Sequence, residues 1–419
     1  MRPSGAAALP IVIFDIVIVG AGPAGLSFAR SLAGSGLELA LVEVQPEAAL
    51  ADPAFDGREI ALTHHSVHLL QQLGTWGQIP PQGIHTLRDA LVLDGSRKPG
   101  LRIDHSDGPR SQLGYLVSNQ LLRRAAYGVL RGQERVTLLC GRRVVGIEPG
   151  GECSRLQLSD GQQLQARLVV AADSRFSETR RAMGIPADSH DFGKTMLVCR
   201  MRHDQPHGQV AWEWFGYGQT LALLPLGAGE SSVVLTLPHN AIQGLMAAPE
   251  AAFATAMEQR FDGRLGRMQL TSTRHAYPLV GVYPRRFIAQ RFALVGDAAV
   301  GMHPVTAHGF NFGLLGQDLL AQEIHGLAAS GGDPGDARML ARFGRDLRRA
   351  TRPLYLATLL ITRLYTDDAP PARLMRRAVL SLAAALPPLR RAVAHSLMQA
   401  GDSRQAASPL HGLLHALRG

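Results

Sequence analysis

The chain has 419 residues, enough for two or three packed subdomains, and its mixture of 46% hydrophobic and 18% charged residues excludes a disordered protein. Three widely spaced cysteines, Cys140, Cys153 and Cys199, form no CxxC pair, which argues against both a disulfide framework and a zinc site and fits a reducing cytoplasm. The net charge of +9 invites a nucleic-acid partner, but ten arginines against three aspartates lie in residues 348–404 alone, beside apolar helical runs and without aromatic platforms. That placement favours an anionic membrane surface over bases.

Residues 11–19 are apolar but lead directly into glycines, so they predict a first strand and not a signal-peptide core. No stretch reaches the roughly 18 apolar residues of a membrane span, so the expected protein is soluble or peripheral on the inner membrane. FDIVIVG at 14–20 saturates with β-branched residues, as a buried parallel strand does. Gly20, Ala21, Gly22, Pro23, Ala24 and Gly25 follow, then a helix over 26–36 and a second strand, LALVE, ending in Glu43. The order strand, GxGxxG, helix, strand, acid is a dinucleotide-binding unit. Gly20 permits the tight turn, Gly22 lets backbone approach a pyrophosphate, and Gly25 lets helix and strand pack closely. The helix N-terminus offers free N–H groups to phosphates, and Glu43 is placed to accept ribose hydroxyls, which favours FAD or NAD over NADP.

Between residues 180 and 278 the pattern changes to alternating runs at 196–201, 210–215, 220–226 and 232–237, turned by glycines. These predict an antiparallel sheet able to roof a ligand and form an apolar pocket. Within it Trp212, Glu213 and Trp214 read as a strand that puts two aromatics on one face. His64 with His65, and His303 with His308, lack the helical spacing of metal ligands, so no metal is expected.

RFALVGDAA at 291–299 reads as a strand stopping at Gly296 and Asp297, and HPVTAHGFNFG at 303–313 opens a helix. Here the sequence resembles the flavoprotein aromatic hydroxylases, whose second fingerprint is Gly-Asp, a Pro-containing loop and Gly-x-Asn. The resemblance gives Asp297 to the ribityl chain of FAD and Pro304, Ala307, His308, Gly309, Phe310 and Asn311 to the loop and helix start against the flavin ring. DGREIALT at 56–63 is similar to the D-x-R-x-x-A-L stretch of the ubiquinone-biosynthesis hydroxylases, so Arg58 is assigned to the FAD ribose and phosphates. LVVAADSRFS at 168–177 stands where the family has G-A-D-G-x-x-S, which assigns Asp173 to FAD and the visiting nicotinamide, with Ser174 replacing a glycine. The same resemblance carries Gln120 and Val144 as cofactor contacts. The loop departs from the usual Gly-Gln-Gly, and Gly316 and Gln317 stand near the place of an expected acid.

The resemblance runs over roughly residues 14–400, and Tyr277-Pro278-Leu279 with LPPLRR at 386–391 look closest to the ubiquinone branch. The chain is thus identified as a member of the FAD-dependent aromatic hydroxylases of ubiquinone biosynthesis, most similar to its 5-demethoxyubiquinol hydroxylases. That implies an α/β fold: a Rossmann-like, glutathione-reductase-like FAD-binding domain (11–180 and 274–345), an inserted antiparallel-sheet substrate domain (181–273) and a C-terminal helical region (346–419). It implies an NAD(P)H-dependent monooxygenase that passes one atom of O2 to a polyprenyl phenol or quinol, with no side chain assigned to catalysis because the flavin carries the difficult chemistry. A single dinucleotide fingerprint makes NAD(P)H a transient reductant. Other ubiquinone-biosynthesis proteins are implied as partners, and nucleic acid is not. Two rival functions share the fold: a flavin-dependent quinone or polyprenyl reductase, and a non-catalytic FAD-containing assembly partner. At the C-terminus, Arg373, Arg376, Arg377, Arg390 and Arg391 interleave with leucines and valines, an arrangement that either meets anionic lipid or packs its leucines on the FAD domain with the arginines solvated.

Overall fold

Strand Val12–Val19 lies between Leu39–Glu43 and Gln163–Ala171, parallel to both, and Ile16, Val17 and Ile18 are fully buried. The computed structural model describes residues 12–95, 100–216, 218–304 and 308–366, and beyond them 370, 371, 374–376, 378, 386, 388, 391, 394 and 398. The sheet order is Ile288–Ala289, Phe292–Leu294, Gln163–Ala171, Val12–Val19, Leu39–Glu43 and Val136–Cys140, with Ser154–Leu158 and Val144–Glu148 added antiparallel beside Gln163–Ala171. Parallel strands need cover on both faces, which explains their apolar runs.

Two glycines make the first turn possible. Gly20 has φ +105°, and a Cβ there would stand 2.6 Å from the Ala172 carbonyl oxygen; a Cβ on Gly25 would stand 2.0 Å from the Gly20 carbonyl oxygen. Helix Pro23–Ser31 therefore starts hard against the strand ends, with proline in its first turn where a missing N–H costs nothing. Helix Gly309–Ala328 packs on it, and Ala337–Thr366 packs on that helix in turn.

The second sheet is built around the 17-residue strand Ala187–His203, flanked by Glu230–Pro238, Met268–Leu270 and His275–Pro284. From Glu230–Pro238 it continues through Thr220–Pro225 and Val210–Phe215. It also extends past the expected limits of 181–273. Asp89–Asp94 joins parallel to Val210–Phe215, Leu101–Ile103 pairs with Asp89–Asp94, and His275–Pro284 belongs to the sheet as well. A parallel partner arrives through a long crossover and leaves no hairpin signal near it in the sequence, which is why 89–103 did not read as part of this sheet. Its outer face, carrying Trp214, Leu197 and Cys199, is covered by Phe253, Met257 and Phe261 of a helical layer, with Trp212 packed at the margin.

At the C-terminus Arg376 is fully buried with its guanidinium 4.0 Å from Asp94, and Ala394 and Met398 close over Ile103 and Leu113. The expected lipid-facing role of Arg376 is therefore corrected: packing on the second sheet removes it from the surface. Arg391 is exposed, while Arg373, Arg377 and Arg390 lie outside the described residues. Among the described residues no helix is long and apolar enough to cross a membrane.

Candidate functional site

The two eight-stranded sheets, the strand Glu59–Leu62 of a third, three-stranded sheet and the helix starts line one continuous cavity of about 1700 Å³. A single small ligand needs about 300–1,000 Å³, so this space suits a dinucleotide and a second molecule together.

At its nucleotide end the Glu43 carboxylate is buried and accepts from the Ala21 N–H at 2.7 Å and the Gln45 N–H at 2.8 Å. Each oxygen keeps a lone pair for a ribose hydroxyl. Gly22 occupies the N-cap of Pro23–Ser31 with no side chain capping the helix, and a Cβ there would meet nothing within 4 Å. The turn thus faces the cavity at a helix start, where the first N–H groups have no intrahelical partner, the form a pyrophosphate requires. Val144 lines the cavity beside Arg142 and Arg143, as do Asn119 and Arg123. Gln120 is not brought into it: its amide donates to the Pro53 carbonyl at 2.8 Å, while Asn119 and Arg123 of the same helix form the wall.

Arg58 lines the wall, 2.6 Å from Asp56 and over the Tyr277 ring. Burial pushes the Asp56 carboxyl upward, but Arg58 and a 2.7 Å hydrogen bond from Asn119 outweigh it and hold the carboxyl below its ordinary value. Asp173 also faces the cavity and accepts from the hydroxyls of Ser177 and Thr179. Ser174, in place of a glycine, has no left-handed φ and its Oγ accepts from the Phe176 N–H, so this turn does not require glycine.

Arg175 ties two segments together, donating to Asp297 at 3.0 Å and to the Val280 carbonyl at 2.9 Å. Asp297, Pro304, His308, Gly309, Phe310 and Asn311 all line the cavity, whereas Ala307 lies outside the described residues. The buried His308 stands at the N-cap of Gly309–Ala328 without capping it, and its ring lies 5.9 Å from that of Phe312. Asn311 spends its side chain on protein: its Oδ1 accepts from the Thr63 N–H and its Nδ2 donates to the Ala61 carbonyl. Burial, then the nearby Arg175 and Lys194, depress His303 to about 4, so at neutral pH an uncharged imidazole borders this part of the cavity. Gln317, where an acid was expected, accepts from the Ser31 hydroxyl at 2.6 Å and joins two helices.

Two carboxylic acids on the wall were not singled out from sequence. Glu59 has a fully buried side chain 2.6 Å from Arg200, yet burial pushes its carboxyl up to about 7 against that attraction. Glu213 projects from the second sheet, and burial alone pushes it up to about 8. The signal for Glu213 was available: two tryptophans sharing one face of a strand put the residue between them on the other. Of the described residues, Asp89, Asp104 and His105 converge as metal ligands could, but Asp89 is already held by Arg102 at 2.6 Å and by Arg88 at 3.2 Å.

Residues 14–329 match the family model described as an FAD binding domain. The chain is 43% identical over 387 residues to the ubiquinone hydroxylase UbiM of Neisseria meningitidis, covering 91% of this chain and 84% of that protein. It is 33% identical over 380 residues to the ubiquinone hydroxylase UbiL of Rhodospirillum rubrum, covering 90% and 88%. The chain belongs to the FAD-dependent ubiquinone hydroxylases. The hydroxylase fold extends to p-nitrophenol 4-monooxygenase PnpA of Pseudomonas putida, with a TM-score of 0.75 at 17% identity over 93% of this chain and 99% of that one. As a ubiquinone hydroxylase the protein is an FAD-dependent monooxygenase of ubiquinone synthesis. The glycine turn, the open space at Gly22 and the Glu43 carboxylate fit that cofactor.

Proposed function

We propose that the protein hydroxylates the ring of a polyprenyl quinol precursor, a demethoxyubiquinol, using NAD(P)H and O2. The observation that carries this reading is the continuity of the cavity from the Gly22 turn to the apolar inner face of the second sheet. When bound, FAD supplies the hydride acceptance and oxygen activation that no side chain can. The chain's own residues do the rest. Gly20–Gly25, Glu43, Arg58, Asp173 and Asp297 hold the nucleotide. Val92, Ala222, Val234 and Val198 provide a dry wall that keeps water from the reacting ring. His308 and Phe310 at the helix start would border the ring end of the cofactor, where the positive end of the helix dipole would favour negative charge. With one dinucleotide cradle, NADH or NADPH visits and leaves.

The far rim of the cavity supports a substrate delivered from a bilayer. Leu360 and Ile361 of helix Ala337–Thr366 both line the cavity and are exposed, and Leu356 beside them is exposed too. A prenyl chain can leave the cavity along that rim into lipid, with the exposed Arg391 available to anionic headgroups. The test is turnover of a short-chain demethoxyubiquinol by purified protein with NADH or NADPH, following oxygen uptake and product by chromatography. Stoichiometric hydroxylation supports the reading. Quinone reduction without oxygen incorporation favours the reductase, and no substrate-stimulated NAD(P)H oxidation favours the assembly role.

A further inference from the structure

The second sheet presents a nearly uniform wall to the cavity. One register row runs Val92, Glu213, Ala222, Val234, Val198 across five hydrogen-bonded strands. Along Val210–Phe215, Thr220–Pro225 and Glu230–Pro238, Glu213 is the one ionisable side chain lining the cavity among the described residues. Its neighbours Val92 and Ala222 offer it neither charge nor hydrogen bond, and the small Ala222 leaves room above the sheet. Among the described residues the Glu213 carboxyl makes no hydrogen bond or ion pair. Trp212 and Trp214 on the opposite face hold the strand against the covering helices, so the alternation that buries them fixes Glu213 inward.

A lone carboxyl on an apolar wall is costly, and a leucine of similar size would remove that cost. Such a group finds its partner in a ligand. Three strand spacings separate the row's Val198, beside Gly57, from Glu213, about 14 Å along the sheet. Glu213 is therefore set away from the Gly57 and Arg58 segment that borders the nucleotide, in the part of the cavity left for the second molecule.

We infer that Glu213 is a substrate-binding residue that accepts a hydrogen bond from a ring hydroxyl of an uncharged phenol or quinol. The inference rests on the proposed substrate class. Binding breaks no bond; the hydroxyl keeps its proton and donates a hydrogen bond to the carboxyl oxygen. Above about pH 8, where Glu213 is ionised, the wall repels aromatic carboxylates, because a second negative charge would meet it without any cation on this face. Since burial pushes Glu213 up to about 8, the group is mainly protonated at neutral pH and becomes the stronger, charge-assisted acceptor above it.

The test uses FAD-loaded protein, with 4-hexylphenol and its methyl ether 4-hexylanisole as probes, and reads binding from the perturbed flavin absorbance. Wild type is expected to prefer the phenol about tenfold, the effect of one net hydrogen bond to a charged or polar partner. The preference should grow from about pH 7 to about pH 9, while the phenol itself, with a pKa near 10, stays protonated. Glu213→Leu should bind the ether as well as wild type does and lose the preference. Glu213→Gln, which keeps an acceptor but cannot ionise, should retain part of the preference with no pH dependence. A Glu213→Leu protein that still discriminates, or a wild type that does not, overturns the inference. Oxygen-coupled hydroxylation separates the two readings: turnover without a Glu213-dependent preference removes this role alone, and the preference without turnover removes the monooxygenase substrate and leaves Glu213 as a phenol-binding group.

Discussion

The side-chain amide of Asn311 grips the backbone of Thr63 from 248 residues away, accepting its N–H at 3.1 Å while donating to the Ala61 carbonyl at 2.9 Å. This joins the start of helix Gly309–Ala328 to the strand Glu59–Leu62, two walls of the same cavity. Asn311→Ala deletes both bonds in a buried setting and should lower stability by about 1–3 kcal/mol. It should also weaken FAD binding, because the walls lose their registration. Calorimetry with and without added FAD checks this; an unchanged melting temperature would show that the clamp is dispensable.

The glycines of the first turn are expected to separate fold from cofactor. A side chain at Gly22 points into open space, so Gly22→Leu should fold with a wild-type circular dichroism spectrum yet purify colourless. Gly25→Ala places its Cβ against the Gly20 carbonyl and should instead yield little folded protein. A fully yellow Gly22→Leu would remove the pyrophosphate from this turn.

Glu59 provides a pH signature of the folded state. Its carboxyl is raised to about 7 when folded, against about 4.3 in an unfolded chain, so the folded form binds more protons between those values. The linkage slope is then negative: the contribution is fully present below about pH 4.3 and is lost as pH rises through about 7. Glu59→Gln should flatten that segment of the curve of melting temperature against pH. A curve superimposable on wild type would mean that the Arg200 pair keeps Glu59 ionised throughout.

The proposed membrane engagement rests on a different set of residues from those the arginine pattern alone picks out. Leu360 is exposed at 66% on the cavity rim, while Arg376 is enclosed. Flotation with liposomes containing anionic lipid should therefore fall for Leu360→Asp, and salt should weaken it in wild type. Arg376→Gln should act chiefly on stability, by leaving Asp94 without its cation in a buried place. Flotation of Leu360→Asp at the wild-type level would place lipid contact elsewhere.

The parts of the site legible in the sequence are those whose geometry is settled within a few residues. Gly20, Gly22, Gly25 and Glu43 are fixed by a tight turn and the strands around it, and the Gly296 and Asp297 stop is equally local. Side-chain direction on a helix is settled by what packs against it. For that reason Gln120 turned to Pro53 while its neighbours Asn119 and Arg123 took the wall, and Arg376 went inward from a segment with leucines on more than one face. The strand Asp89–Asp94 was hidden because its pairing partner is more than a hundred residues away. Glu213 was visible as a residue between two tryptophans, but its isolation depends on Val92 and Ala222, which only strand register brings beside it.

That distant pairing carries a kinetic consequence. Val210–Phe215 pairs with Asp89–Asp94, and the intervening chain includes the nucleotide-side strands Val136–Cys140 and Gln163–Ala171. Contacts so far apart in sequence are slow to close, so the inner wall of the cavity should be among the last parts to consolidate during folding. It follows that residues 181–273 expressed alone would expose a bare strand edge where Asp89–Asp94 belongs and would aggregate instead of behaving as an autonomous module.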